Sequence, residues 1–226
     1  MTDYSQLLDL MRSRRSVRRF EERAVSRDDV NRLLEAARWA PSNHNRQPWR
    51  FLVFEDRGRI AALAEEVERD LTGKIGRLPA TLAGHFGEFV HYATLFGGAP
   101  VVIAALHRRP VSLSAALLDG VPNPLLVSGE PLSVAMAIQN LLLAAHALGL
   151  GACVLTGPLL APGPMAAGLA VPDGYDLTCL VAVGHPAESP VPPRRKAIEQ
   201  SVVFEAVPPP GEYPPHQPGE VMEGSK

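Results

Sequence analysis

The segment Leu132–Leu148 contains no charged residue and is interrupted only by Ser133, Gln139, Asn140 and His146. Pro131 suits the first turn of a helix here, and Gly149 suits its C-terminal cap, because proline is tolerated where the backbone N–H has no partner and glycine where φ turns positive. A helix that is apolar on nearly all sides has to be covered on nearly all sides, by a sheet alone or by a sheet together with a partner subunit. A membrane span is the competing use of such a segment. The polar residues inside Pro131–Leu150 favour a core helix instead.

The rest of the chain supplies the elements to cover it. Tyr4, Leu7, Leu8 and Met11 fall at helical spacing. Ser26 followed by Asp29 is a capping box, after which Val30, Leu33, Leu34 and Ala37 form one stripe and Pro41 closes the helix. Ile60, Leu63, Ala64, Val67 and Leu71 repeat the pattern, and residues 86–95 permit another helix. Residues 50–54, 100–106, 152–155 and 177–183 read as strands. Helices and strands mix without regular βαβ alternation, so the expected class is α+β, with a mixed or antiparallel sheet flanked by helices. No internal repeat or clean boundary appears. One domain is expected over residues 1–207, followed by a Pro/Gly-rich tail at 208–226.

Of the 226 residues, 46% are apolar and 20% charged, with a formal net charge of -2, which suits a globular core and gives no global pull toward nucleic acid or anionic lipid. The N-terminus lacks a basic start and an apolar run, so no secretory signal is read there. Cys153 and Cys179 each sit in an apolar run and read as small buried hydrophobes; a cytoplasmic location is expected.

Several chemistries are missing. Gly149 and Gly151 begin a dinucleotide fingerprint, but Val154 breaks it. The phosphate-binding P-loop, His-Glu-x-x-His, Cys-x-x-Cys and Gly-x-Ser-x-Gly patterns do not occur, and the seven histidines are scattered. Neither a metal site nor a side-chain nucleophile is assigned. An enzyme built this way would leave the difficult chemistry to a bound cofactor.

Two segments suggest which one. In Arg14-Arg15-Ser16-Val17-Arg18-Arg19-Phe20, an extended backbone would put Arg14, Ser16 and Arg18 on one face. Two guanidinium forks and a hydroxyl suit a phosphate. The plainer account is a solvated basic helix end near Glu21 and Glu22, or a targeting run. The second segment, Ala40-Pro41-Ser42-Asn43-His44-Asn45-Arg46-Gln47-Pro48-Trp49, joins a capped helix to a strand. Its amides can donate and accept together, as the edge of a flavin ring requires. Here the plainer account is a turn stitched by its own Asn side chains, with Trp49 a core aromatic.

Together these segments resemble the nitroreductase family of flavoenzymes, whose Arg-Arg-Ser-x-Arg-x-Phe-like run is followed by Ala-Pro-Ser-x-x-Asn-x-Gln-Pro-Trp. Phe96-Gly97-Gly98-Ala99-Pro100, Ala137–Ala145 with Gly149-Leu150-Gly151, Gly184-His185-Pro186 and Arg194-Arg195-Lys196 continue the pattern in order, so that the likeness runs from about Leu7 to Phe204. The resemblance implies an α+β sandwich forming an intertwined homodimer with FMN at the interface. It implies that Arg14, Ser16 and Arg18, with Arg15 in the same cluster, hold the FMN phosphate and ribityl chain. Arg194 or Arg195 would return to that phosphate, although Ala197 stands where the family often has proline. Asn45 would bond the ring edge, Pro41, Ser42 and Asn43 would line it from the partner subunit, and Gln47 would fix the loop. The backbone at Leu155-Thr156-Gly157 would approach the flavin N5; some relatives have an acidic residue where Thr156 stands.

The implied activity is a ping-pong transfer from NADH or NADPH to small oxidised acceptors such as nitroaromatics or quinones, with residues 72–130 shaping the choice. The alternatives are a specialised dehydrogenase, dehalogenase or flavin-cleaving enzyme, a non-catalytic FMN carrier or sensor, and a nucleic-acid-binding protein using the arginine run. The last conflicts with the acidic balance.

Overall fold

The computed structural model describes residues 3–79, 86–109 and 129–202. Residues 110–128, Val203, Phe204 and the tail at 208–226 lie outside them, as does the expected 207/208 boundary. The chain divides into two compact units, Met1–Pro192 and Pro193–Lys226. Among the described residues the second unit is exposed except for half-buried Val202 and holds one short 3-10 turn, Ile198–Gln200.

In the first unit, four strands pair antiparallel in the order β1-β2-β4-β3: β1 is Trp49–Phe54, β2 Val101–Arg108, β3 Gly151–Leu155 and β4 Tyr175–Gly184. The fold is α+β, as expected. β2 and β4 are central strands, and their side chains alternate between two cores. Val101, Ile103, Ala105, Cys179, Val181 and Val183 face one side; Val102, Ala104, Leu106, Leu180 and Ala182 face the other. Both faces are buried, which explains why these strands read as continuous apolar runs rather than alternating ones.

Helices cover both faces. On the first lie α2 (Arg27–Arg38) and α5 (Glu130–Ala147), with Val30, Leu33, Val134, Ala137 and Leu141 in the core; α1 (Tyr4–Ser13) also packs against α5. On the second lie α3 (Arg57–Ile75), α4 (Gly87–Thr94) and α6 (Pro162–Leu169), joined through Leu63, Val67, Phe96, Met165 and Leu169. Ser26 caps α2 as expected, its hydroxyl accepting the Asp29 N–H at 3.0 Å. The Asp29 carboxylate accepts from that hydroxyl at 2.7 Å, and α2 ends at Arg38, three residues before Pro41. α6 had no expectation behind it: Pro162-Gly163-Pro164 and small residues give little helical periodicity, and packing on α3 decides it.

α5 departs from its expectation in an informative way. Among the described residues its buried side chains lie on one face, and Leu132 and Met136 remain exposed. The stripe of α1 behaves likewise: none of its residues is buried, and Tyr4 is 75% exposed. Gly149 takes φ +74 after α5, where glycine meets no steric penalty. Both cysteines are buried and free, and burial pushes the Cys179 thiol up to about 12. No described helix is long and apolar enough to cross a membrane.

Candidate active site

The candidate residues gather at the two ends of α5. At its C-terminal end, the Ser13 hydroxyl lies 2.8 Å from His146 Nε2, and α1 gives way to the extended segment 14–20. This segment lies along β3. Ser16 makes a parallel bridge to Ala152, and the Val17 N–H donates to the Ala152 carbonyl at 3.1 Å. Val17 turns inward over Gly151, where a Cβ would lie 2.6 Å from the Val17 Cβ; the glycine lets the segment approach. Glu188 accepts the N–H groups of Arg18 and Arg19 at 2.6 and 3.2 Å and the Arg19 Nε at 3.2 Å. Partial burial opposes ionisation of this carboxyl, but those N–H donors and the Arg19 charge outweigh it and hold its pKa below the usual range.

The expected alternation holds where Val17 points inward between Ser16 and the exposed Arg18. Arg15 behaves differently. Its Nη1 donates to the carbonyls of Arg12 and Arg14 at 2.6 and 2.7 Å, so it caps the end of α1. Among the described residues neither Arg14 nor Arg18 has a carboxylate partner for its side chain. Arg18 lies 6.0 Å from the centre of the Tyr92 ring. It borders a cavity of about 210 Å³ together with Phe89, Tyr92, Cys153, Leu155, Thr156 and Gly157. The structure thus brings Arg18 and the Leu155-Thr156-Gly157 backbone to one cavity. Gly157 has a packing reason of its own: a Cβ there would lie 2.8 Å from the Ala93 Cβ. Burial raises the pKa of the Cys153 thiol, against the lowering charge of Arg18.

The loop 41–47 sits at the other end of α5. Asn43, His44 and Asn45 form a 3-10 turn, and His44, Asn45 and Gln47 have φ of 50, 52 and 47. Three left-handed residues other than glycine among four is a strained arrangement that its surroundings must enforce. The Ser42 hydroxyl accepts the Gln47 N–H at 3.0 Å, the Gln47 amide reaches Asn45 Oδ1 at 3.4 Å, and the Asn43 N–H donates to Ser133 Oγ at 3.2 Å. Asn43 and Asn45 are exposed, as is Pro41, while Ser42 is half-buried. The Gln47 N–H and side-chain amide thus both bond within the loop. Trp49 is half-buried against the first core and starts β1.

From Ser133 to His146 is thirteen residues along one helix, about 20 Å at 1.5 Å per residue. One chain does not bring its arginine segment and its amide loop together. Arg194 and Arg195 are exposed at the beginning of the second unit. Sequence reasoning missed Phe89, Tyr92, Glu188, Glu130 and Ser133. Tyr92 lies in the weakly patterned stretch 72–98, Glu188 is one acid among many, and Glu130 and Ser133 look like ordinary first-turn residues.

Comparisons with known proteins give the family. An NADH dehydrogenase from Thermus thermophilus is 28% identical over 200 residues, covering 84% of this chain and 92% of the relative. An iodotyrosine deiodinase from Thermotoga neapolitana is also 28% identical, covering 88% of this chain and 98% of the relative. A solved nitroreductase in complex with FMN from Desulfovibrio desulfuricans is 29% identical, covers 92% of this chain and 100% of its own, and superposes with a TM-score of 0.64. The model of the nitroreductase family matches residues 11–185, which span both ends of α5 and all four strands, and the chain belongs to that family.

Proposed function

We propose that this protein is an FMN-dependent oxidoreductase that passes electrons from NADH or NADPH to small oxidised organic acceptors such as nitroaromatics or quinones. The observation that carries the reading is the meeting of Arg18 with Leu155-Thr156-Gly157 at one cavity. The donor set fits the cofactor. Two guanidinium groups that have no carboxylate partner among the described residues suit a terminal phosphate, and the amides of Asn43 and Asn45 suit a ring edge that both donates and accepts. When bound, FMN would supply the redox chemistry, taking electrons from one partner and giving them to the next in a ping-pong exchange.

The chain's own residues then have distinct tasks. Arg14, Ser16 and Arg18 hold the phosphate and ribityl chain; Arg15 supports them by closing α1. The backbone at Leu155, Thr156 and Gly157 presents polar groups to the reactive edge of the ring. Pro41, Ser42, Asn43 and Asn45 line the ring from a second copy, because one chain separates its loop from its arginines by the length of α5. The exposed apolar faces of α1 and α5 support the same homodimer.

The named relatives include a dehydrogenase and a deiodinase at equal identity, so a specialised acceptor is the second reading. Purified protein should be yellow, release FMN on denaturation, and oxidise NADH or NADPH steadily with a quinone. Bound flavin without turnover of any nitroaromatic or quinone would overturn the acceptor class and leave the carrier reading. Colourless protein that takes up no FMN would overturn the cofactor itself.

A further inference from the structure

The buried polar side chains among the described residues are Glu130, 5% exposed, and Ser133, 1% exposed. Both stand in the first turn of α5, and both hold the loop 41–47. The Ser133 hydroxyl accepts the Asn43 N–H at 3.2 Å and donates to the Gly129 carbonyl at 2.7 Å, so its hydrogen is committed and its lone pair is aimed at the loop. Glu130 reaches Arg46 Nη1 at 3.4 Å, and its charge also suits the N-terminal end of a helix dipole. Gly129 completes the seat: a Cβ there would lie 3.0–3.2 Å from the Asn43 side chain. A buried hydroxyl and a buried carboxylate are costly unless each is partnered, and two such groups in a largely apolar helix call for a purpose. The strain in His44, Asn45 and Gln47 gives one, since left-handed backbone persists only where the surroundings over-determine it.

We propose that Glu130 and Ser133 are positioning residues for flavin recognition: by clamping Arg46 and the Asn43 N–H to the start of α5, they hold Asn45 in the left-handed conformation in which it meets the ring. This rests on the ring-reading role given above to the loop. Neither residue touches the cofactor in this arrangement. Their effect passes through Asn45, and that separates them from ordinary core residues.

The test uses full-length protein titrated with FMN and, separately, with lumiflavin, which has the ring without the phosphate. Asn45→Ala should weaken both ligands about tenfold, the worth of one hydrogen bond. Ser133→Ala and Arg46→Gln should each weaken lumiflavin by a similar factor and shift the visible absorption band of the bound flavin. Adding Ser133→Ala to Asn45→Ala should weaken binding no further, because residues acting through one contact are not additive. Arg46 is 60% exposed, so Arg46→Gln keeps the test open should Ser133→Ala fold poorly. Glu130→Gln combined with Arg46→Gln should be no worse than either alone. If Asn45→Ala weakens flavin while Arg46→Gln and Glu130→Gln leave affinity and spectrum unchanged, the clamp is overturned and the loop's role stands. If Asn45→Ala itself has no effect, the ring-reading role fails and the clamp fails with it.

Discussion

The two ends of α5 hold their candidate ligand-binding residues by different means. At the C-terminal end the arginine segment is ordinary extended backbone, paired to β3 through Ser16 and Val17 and pinned by Glu188. What it offers is charge, and that charge is near the surface. At the N-terminal end the loop offers neutral amides from a left-handed backbone, and buried anchors hold it there. A phosphate can be gripped by flexible forks, since Coulomb attraction falls off gradually with distance. A ring edge has to be met within hydrogen-bond geometry, so the loop must be shaped in advance.

The sharpest way to break this contrast is to remove the charge. Replacing Arg14 and Arg18 together with Ala should lower FMN affinity about 100-fold or more, since each removes a charge-assisted bond worth about 1.5–3 kcal/mol. Lumiflavin affinity should stay within about twofold, because neutral hydrogen bonds at the ring are left intact. Fluorescence titration at two salt concentrations checks both. Equal losses for the two ligands would mean that the arginines do not read the phosphate.

A second substitution tests whether the arginine segment depends on its seat. Gly151→Ala would place a methyl 2.6 Å from the Val17 Cβ, part of the segment rather than the end of a flexible side chain. Overpacking of this kind costs about 1–3 kcal/mol, which lowers the melting temperature by several degrees in a domain of this size. FMN should weaken as Arg18 shifts, with lumiflavin little changed. A melting temperature equal to the parent's would show that the segment yields more readily than its pairing to Ala152 implies.

The same contrast explains what could be read from the sequence. The arginine segment was legible because alternation along extended backbone is a local rule, and the structure buries Val17 between half-buried Ser16 and exposed Arg18. The buried parts of β2 and β4, residues 101–106 and 179–183, were legible because burial on both faces makes them apolar. The anchors of the loop were not. Ser133 is ninety positions from Asn43, and only the packing of α5 beside the loop gives its hydroxyl a task. The cavity wall at Phe89 and Tyr92 was hidden for a similar reason, since residues 72–98 carry a mixed pattern that α3 and the sheet resolve. The covering of α5 was half right: the helix is where its composition puts it, but one chain leaves Leu132 and Met136 exposed.

The loop's strain offers a smaller effect. His44→Gly removes a side chain from φ 50 and should be neutral or stabilising by about 0.5 kcal/mol, the left-handed penalty being relieved against the entropy glycine adds to the unfolded chain. Ring affinity should fall at the same time, because a glycine at 44 loosens the turn that sets Asn45. Thermal melts and lumiflavin titration on one sample would show the two moving in opposite directions. A loss of stability with unchanged affinity would mean that the left-handed turn is not where strain is stored.

The smallest expected effect distinguishes the two ends by acid. His146, beside Ser13 at the arginine end, has a lowered pKa, first because it is partly buried and then because Arg14 and Arg15 repel a further cation. His107, bonded to Thr178 at 2.9 Å, is also lowered by burial, but the charges of Asp176 and Glu130 work the other way. For either ring the folded pKa lies below the unfolded value of about 6.5, so between the two values the unfolded chain binds more protons and stability rises with pH. Stability should therefore be complete above about pH 7, fall as pH drops through 6.5, and level off below the folded pKa. His146→Gln should flatten part of that fall. Bound FMN should flatten it too, because its phosphate would offset the repulsion from Arg14 and Arg15, whereas His107→Gln should leave the effect of FMN intact. Urea melts at several pH values between about 5.5 and 7.5, with and without FMN, separate these outcomes. An acid fall in the His146→Gln protein as steep as in the parent, and as sensitive to FMN, would remove the histidine from the arginine end's electrostatics and leave the phosphate grip to the guanidinium groups alone.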